Sequence, residues 1–266
     1  MPDTLEVVVR GTETASAAAP IVFVHGTGHG AWCWDEFSRI FVAAGYATYA
    51  ISLRGHRGSQ GAERLRSTSV AEYVDDVRNV ATQLPRPPVL IGHSLGGFIV
   101  MRYLQKHPAA AAVLLAPAPV SGMLVANWQL GFRKPFALLR CLLKRDFAAF
   151  FHTPTLTHEL LFRASTPRSE VVQVHRKIGG ESFRAAAEML PPLRGSRSFG
   201  CPVLVVNGTA DKVVPHRYAE KTADALGATM ISIDGAAHEL MLDRGWEDVA
   251  RRVRDWLAAQ PGGHLQ

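Results

Sequence analysis

A chain of 266 residues is long enough for one large α/β domain, or for a core domain that carries an insertion. Its apolar fraction of 47% and charged fraction of 20% are ordinary for a globular protein, and no window stays apolar long enough to cross a bilayer. The formal charge of +6 is concentrated in residues 121–200, which hold 12 Lys and Arg against 5 Asp and Glu and are therefore +7 on their own. Such charge attracts nucleic acid, anionic lipid or an anionic substrate. No nucleic-acid motif accompanies it, so it reads as a solvated basic face, and no nucleic-acid partner is expected. Residues 1–6 lack the basic-then-apolar run of a secretory leader. The three cysteines, Cys33, Cys141 and Cys201, are too few and too far apart for a disulfide framework or a metal site. A reduced, cytoplasmic setting is the expectation.

The β-branched and aromatic run 21–24 predicts a strand, followed by a loop beginning His25-Gly26-Thr27-Gly28. Trp34, Phe37, Phe41 and Val42 at helical spacing predict a helix over 31–44, closed by Gly45. A second strand is expected at 47–51, and a helix at 69–84 that Ser69 opens and Pro85 stops. Strand 89–91, helix 96–106 and strand 111–115 follow. This alternation implies a mostly parallel sheet with helices on both faces. At Pro117-Ala118-Pro119 the pattern breaks, and from about 120 to 196 no strand is legible. The stretch 128–151 is helical in character, with Pro135 interrupting it, and 169–190 reads as further helix. The alternation resumes with strand 201–206, helix 216–227, strand 230–233 and helix 245–259. The expected organisation is an α/β core, 1–119 and 197–266, with a helical cap inserted at 120–196. Low complexity is confined to 15–19 and the tail 260–266.

Gly92-His93-Ser94-Leu95-Gly96 has the form G-x-S-x-G, a modest signal by itself. Here it lies between a predicted strand and a predicted helix, where a serine on a sharp turn exposes its hydroxyl at the carboxyl edge of the sheet. A serine hydroxyl needs an adjacent base. His238, just after strand 230–233, falls in a loop at that same edge. The imidazole needs a partner to fix its tautomer. Asp211, after strand 201–206, supplies it in the chain order Ser, Asp, His, with Asp234 and Asp243 as rivals on proximity to His238. A developing oxyanion needs two N–H donors. Leu95 N–H is one candidate and Thr27 N–H the other. Gly26, Gly28 and His93 are expected to line the substrate site, although His93, adjacent to Ser94, is expected to turn its side chain away from the reacting groups. His25 is expected to brace the loop it begins.

On these residues the chain resembles the α/β-hydrolase family along nearly its whole length. His25-Gly26 resembles the family's oxyanion loop, Gly92 to Gly97 its nucleophile elbow, Asn207 to Asp211 its acid loop, and Gly235 to His238 the loop bearing its histidine. The insertion at 120–196 is similar to the family's cap. The resemblance implies a serine hydrolase that cleaves a carboxylic ester, thioester or lactone of a small to medium apolar substrate through an acyl-enzyme, with no metal or organic cofactor. Its alternative is a non-hydrolytic member of the fold: a ligand receptor, a lyase, or a cofactor-free oxygenase or perhydrolase.

His29-Gly30-Ala31-Trp32-Cys33-Trp34 resembles a run shared by plant methylesterases and hydroxynitrile lyases. The lyases carry a lysine beside the catalytic histidine; this chain has Glu239 there. Residues 237–243 resemble the cap-bearing lysophospholipases and monoacylglycerol lipases. The basic, apolar stretch from Arg133 to Phe147 has two readings, a core-packing helix with solvated cations or a lid that meets lipid or acyl chains. Cys33 reads as a small packed hydrophobe. Monomer and homodimer both stay open.

Overall fold

The computed structural model describes residues 4–11, 18–195 and 198–260. Most of the low-complexity segments, 15–17 and 261–266, and the expected cap boundary at 196/197 lie outside the described residues. Seven strands form one sheet: β1 (Val7–Arg10), β2 (Ile21–Val24), β3 (Thr48–Ile51), β4 (Val89–His93), β5 (Ala111–Leu115), β6 (Val203–Gly208) and β7 (Thr229–Ile233). Their spatial order is β1-β3-β2-β4-β5-β6-β7. Only the β1–β3 pair is antiparallel.

The helices of the core are α1 (Phe37–Ala43), α2 (Val70–Ala81) and α3 (Leu95–Leu104) in the first half. Between β5 and β6 come α4 (Leu124–Arg133), α5 (Pro135–Lys144), α6 (Pro154–Leu161), α7 (Arg168–His175) and α8 (Phe183–Glu188). The core resumes with α9 (His216–Leu226) and α10 (Trp246–Ala258). Strand alternation divides the core. Val22 and Val24 of β2 face the side of α2, α3 and α9, while Ile21 and Phe23 face α1 and α10. Phe23 stacks on Trp34 with ring centroids 4.9 Å apart.

Four readings change. β1 was not legible, because a short edge strand buried only partly on both faces carries no core signal. The expected helix 31–44 is a 3-10 turn at Ala31–Trp34 followed by α1, although Trp34, Phe37 and Phe41 still share one buried face. The stretch 169–190 divides into α7 and α8 around Gly179-Gly180, and α6 was missed altogether. Between β5 and β6 the described residues hold no strand, only an isolated bridge between Asp146 and Ser182. Elsewhere Ser69 caps α2 in a reciprocal pair: its hydroxyl accepts from Glu72 N–H, and the Glu72 carboxylate accepts from Ser69 N–H.

Candidate active site

β2, β4, β6 and β7 run parallel, so the loops that leave them emerge at one edge of the sheet. The chain steps from β2 to β3 on one side and returns to β4 on the other. The crevice this reversal opens beyond the strand ends is where ligands bind in open α/β sheets. Ser94 follows β4 there, at φ 51° and ψ −114°, a conformation a residue with a Cβ seldom adopts. The turn is fixed by Ser94 N–H to Leu115 O at 2.9 Å and Ala118 N–H to Ser94 O at 3.2 Å. A Cβ on Gly96 would lie 2.2 Å from Val24 O, so only glycine lets the turn sit this close to β2. Leu95 is the first residue of α3, and its N–H has no acceptor within the helix.

Ser94, Thr27, His93 and His238 line one narrow cavity of about 20 Å³, with Met123, Phe147, Phe151, Leu161 and Met189 as apolar walls. His238 Nδ1 donates to Asp211 Oδ2 at 2.8 Å. Asp211 also accepts from Val213 N–H, Val214 N–H and Asn207 Nδ2, so four donors hold it in place. Burial pushes the His238 imidazolium down, but the Asp211 carboxylate and, less strongly, Glu239 outweigh it, leaving the group above its ordinary value. Among the described residues no hydrogen bond links Ser94 Oγ to His238; the two groups meet only as walls of one cavity. Of the rival carboxylates, Asp234 is exposed and accepts from Thr209. Asp243 is taken up by Arg163 N–H, the Thr166 hydroxyl and Arg244 N–H.

The structure gives some of the flanking residues roles the sequence did not assign. His93 does not point away: its ring centroid is 4.8 Å from that of His238, and its Nε2–H donates to His238 O at 3.1 Å. Gly26 is buried against His93 and Ser94, so it forms part of the turn's packing. The Gly28 amide donates to Glu181 at 3.1 Å, so it is already occupied. His25 braces the loop, with Nδ1–H donating to Gly26 O and Nε2 accepting from Leu53 N–H. Cys33 is buried, and its thiol is pushed well up by desolvation, then by Glu239.

The burial of two carboxylates is not legible in the sequence. Glu239 is buried beside His238, 3.5 Å from His29 Nε2, and burial raises its carboxyl despite the pull of both histidines. Glu181 is buried where the insertion meets the core. Glu181 stands in no motif, and only the fold brings its partners near; Glu239 follows His238 in the chain, but only the fold brings His29 to it. Among the described residues no group of three or more His, Cys, Asp or Glu is placed to hold a metal.

The chain matches the alpha/beta hydrolase family over residues 21–252. It is 26% identical over 258 residues to a monoacylglycerol lipase from Mycolicibacterium smegmatis, which covers 90% of this chain and 88% of that protein. It is also 26% identical over 246 residues to a Mycobacterium phage D29 protein named as a non-heme haloperoxidase, covering 87% and 85%. Among solved structures, a thermophilic esterase from Thermogutta terrifontis superimposes with a TM-score of 0.76 at 19% identity, covering 96% of this chain and 93% of that one. A single mostly parallel sheet flanked by helices, a strained serine at its carboxyl edge and a family match across almost the whole sheet agree: the chain belongs to the alpha/beta hydrolase family.

Proposed function

We propose that the protein is a serine carboxylic-ester hydrolase acting through an acyl-enzyme, with Ser94 as nucleophile, His238 as base and Asp211 as the group that orients it. The observation that carries this reading is the shared cavity of Ser94 and His238, with the far nitrogen of His238 bonded to Asp211 at 2.8 Å. That bond puts the proton on Nδ1 and leaves Nε2 to act as base. Ser94 Oγ bonds to the acyl carbon as its proton passes to Nε2. Leu95 and Thr27 N–H groups stabilise the oxyanion. The bond to the leaving alcohol then breaks, and the alcohol takes the proton from Nε2. Water gives a proton to Nε2 and attacks the acyl carbon. The acid departs as Ser94 recovers its hydrogen.

The apolar walls of the cavity suit an apolar acyl group. The lipase relative supports an ester substrate. A chain-length series of p-nitrophenyl esters tests the reading. Ser94→Ala is expected to abolish turnover, and a fluorophosphonate to label Ser94. Equal turnover by wild type and Ser94→Ala would end the hydrolase reading. The haloperoxidase relative favours one second reading, in which peroxide replaces water as acyl acceptor. Peracid formation from acetate and peroxide would support it.

The residues 120–196 act in this reading as a cap, and its outer face as a lipid-surface contact. Phe136 is 85% exposed, Leu143 76%, Phe132 71% and Trp128 66%. Arg133, Arg140, Lys144 and Arg145 stand exposed among them. An apolar stripe rimmed by cations matches an anionic bilayer surface. Binding to phosphatidylglycerol vesicles but not to phosphatidylcholine vesicles is expected, and loss of that difference in Phe136→Ser with Leu143→Ser would confirm the face.

A further inference from the structure

The loop 25–29 must hold the Thr27 N–H in a fixed position if it is to serve Ser94. Its own ties are local: His29 N–H to Gly26 O at 3.2 Å, and His29 Nδ1–H to Thr27 O at 2.8 Å. His25 ties the start of the loop to Leu53 N–H at 3.0 Å, and the tie nearest the Thr27 N–H lies at Gly28, the residue after Thr27. Both peptide groups of Gly28 bond to the insertion. Gly28 N–H donates to Glu181 Oε2 at 3.1 Å, and Gly28 O accepts from Gly179 N–H at 2.7 Å. Gly28 sits at φ 70°, and a Cβ there would lie 2.8 Å from Gly179 O. The contact is therefore close as well as hydrogen-bonded.

Glu181 is 1% exposed, a position a carboxylate occupies only when its oxygens are fully engaged. They are. Oε1 accepts from the Tyr73 hydroxyl at 2.8 Å and from Ser182 N–H at 2.6 Å. Oε2 takes the Gly28 amide and faces His56 Nε2 at 3.3 Å. Tyr73 is on α2, and His56 is in the loop after β3, so three core segments meet one carboxylate that the insertion delivers. The backbone of Glu181 is held in turn by Asp146, which accepts its N–H at 3.0 Å. A second contact of the insertion reaches the His238 loop, where Leu161 O accepts from both His238 N–H and Glu239 N–H.

We propose that Glu181 is a positioning residue for the chemistry at Ser94. Its carboxylate, brought by the insertion and paired with His56, fixes the Gly28 amide and through it the Thr27 N–H, so the oxyanion site is complete only with the insertion seated. The role rests on the hydrolase reading above. A charge-assisted bond to a backbone N–H is stronger and more directional than one from a neutral acceptor. Misplacing an oxyanion donor lowers kcat far more than substrate binding.

The test is Glu181→Gln, which keeps the shape but turns one of two acceptor oxygens into a donor. With p-nitrophenyl butyrate, kcat is expected to fall about tenfold or more while KM changes by less than about threefold. Amide hydrogen exchange across residues 26–29 is expected to quicken by about tenfold. Val253→Ala, a buried truncation on α10, controls for stability: it lowers the melting midpoint without moving kcat. A folded Glu181→Gln protein with kcat within twofold of wild type would overturn the proposal. Should that variant fail to fold, Tyr73→Phe removes one bond and leaves the carboxylate. It should lower kcat about threefold and loosen exchange at Gly28, and no change in either would overturn the proposal. If wild type shows no Ser94-dependent turnover, the hydrolase reading fails on its own terms. Exchange then decides for the clamp, and unchanged exchange in Glu181→Gln overturns it.

Discussion

In the proposed hydrolase reading, the Asp211–His238 pair decides how the site responds to pH. Burial disfavours the imidazolium, but the Asp211 charge outweighs it, so the free protein holds His238 protonated above the ordinary histidine value of 6.5. A base works only when neutral, so kcat/KM is expected to rise with pH along a limb centred above 6.5. In Asp211→Asn the raising charge is gone and the burial remains. That limb should move down, and kcat should drop by orders of magnitude because the tautomer is no longer fixed. A pH profile of both proteins checks this. An acid limb that stays put in Asp211→Asn would remove Asp211 from the role. The sequence offered three carboxylates near His238. The structure separates them because Asp243 is engaged by the backbone of Arg163 and Asp234 stands in solvent. His93 shows the limit of reading by adjacency. Its neighbour relation to Ser94 said nothing about which way a strained turn would aim the ring, and the ring lies against His238.

At the scale of elements, the turn between β4 and α3 is among the least tolerant joints of the fold. Gly96 packs α3 on β2, and an added Cβ would meet Val24 O at 2.2 Å and His25 O at 2.6 Å, both backbone atoms that cannot swing aside. Gly96→Ala is expected to cost about 3 kcal/mol or more, read as a lowered urea midpoint, together with loss of activity. A midpoint within experimental error of wild type would mean that the turn can open. This joint was legible because its signals are local: a short apolar strand, small residues, then a helix. Strands β2, β4, β5 and β6 were legible for the same reason, as buried runs of small and branched apolar residues bounded by loops, while β3 and β7 were legible from β-branched or aromatic content between turns. The joint within 31–44 was not, since Trp34, Phe37 and Phe41 keep helical spacing across a break that helical spacing alone cannot reveal. The helices of the insertion blurred because only a minority of their residues are buried. On α4 and α5 the described buried side chains, such as Ala126, Leu130, Ala137 and Cys141, are few among exposed Leu and Phe.

At the scale of the whole molecule, what the sequence hid is long-range. The Gly28–Glu181 bond spans 153 residues, and the Val70–Glu188 bond spans 118. No window of sequence contains both ends, so the coupling of insertion to core emerges only once the sheet is assembled. The histidines buried by that assembly make stability depend on pH, and they act with opposite signs. His56 and His238 are raised, so their contributions are present below 6.5 and fade as pH rises through their folded values. His25 is the opposite case. Its ring is satisfied only when neutral, donating from Nδ1 and accepting at Nε2. Desolvation, with His56 nearby, lowers it to about 3 from 6.5. Between those values the unfolded chain binds the extra proton, so this contribution is intact above 6.5 and declines as pH falls toward 3. From pH 7.5 to pH 5 the loss from His25 is about 2 kcal/mol. The other histidines mask it in the wild type alone, but a double difference isolates it. His25→Asn should be less stable than wild type at pH 7.5, because its bonds to Gly26 and Leu53 are gone. That deficit should shrink by about 2 kcal/mol at pH 5, roughly 5 °C in melting midpoint for a chain of this size. Equal deficits at the two pH values would show that the His25 ring takes up its proton without leaving the fold.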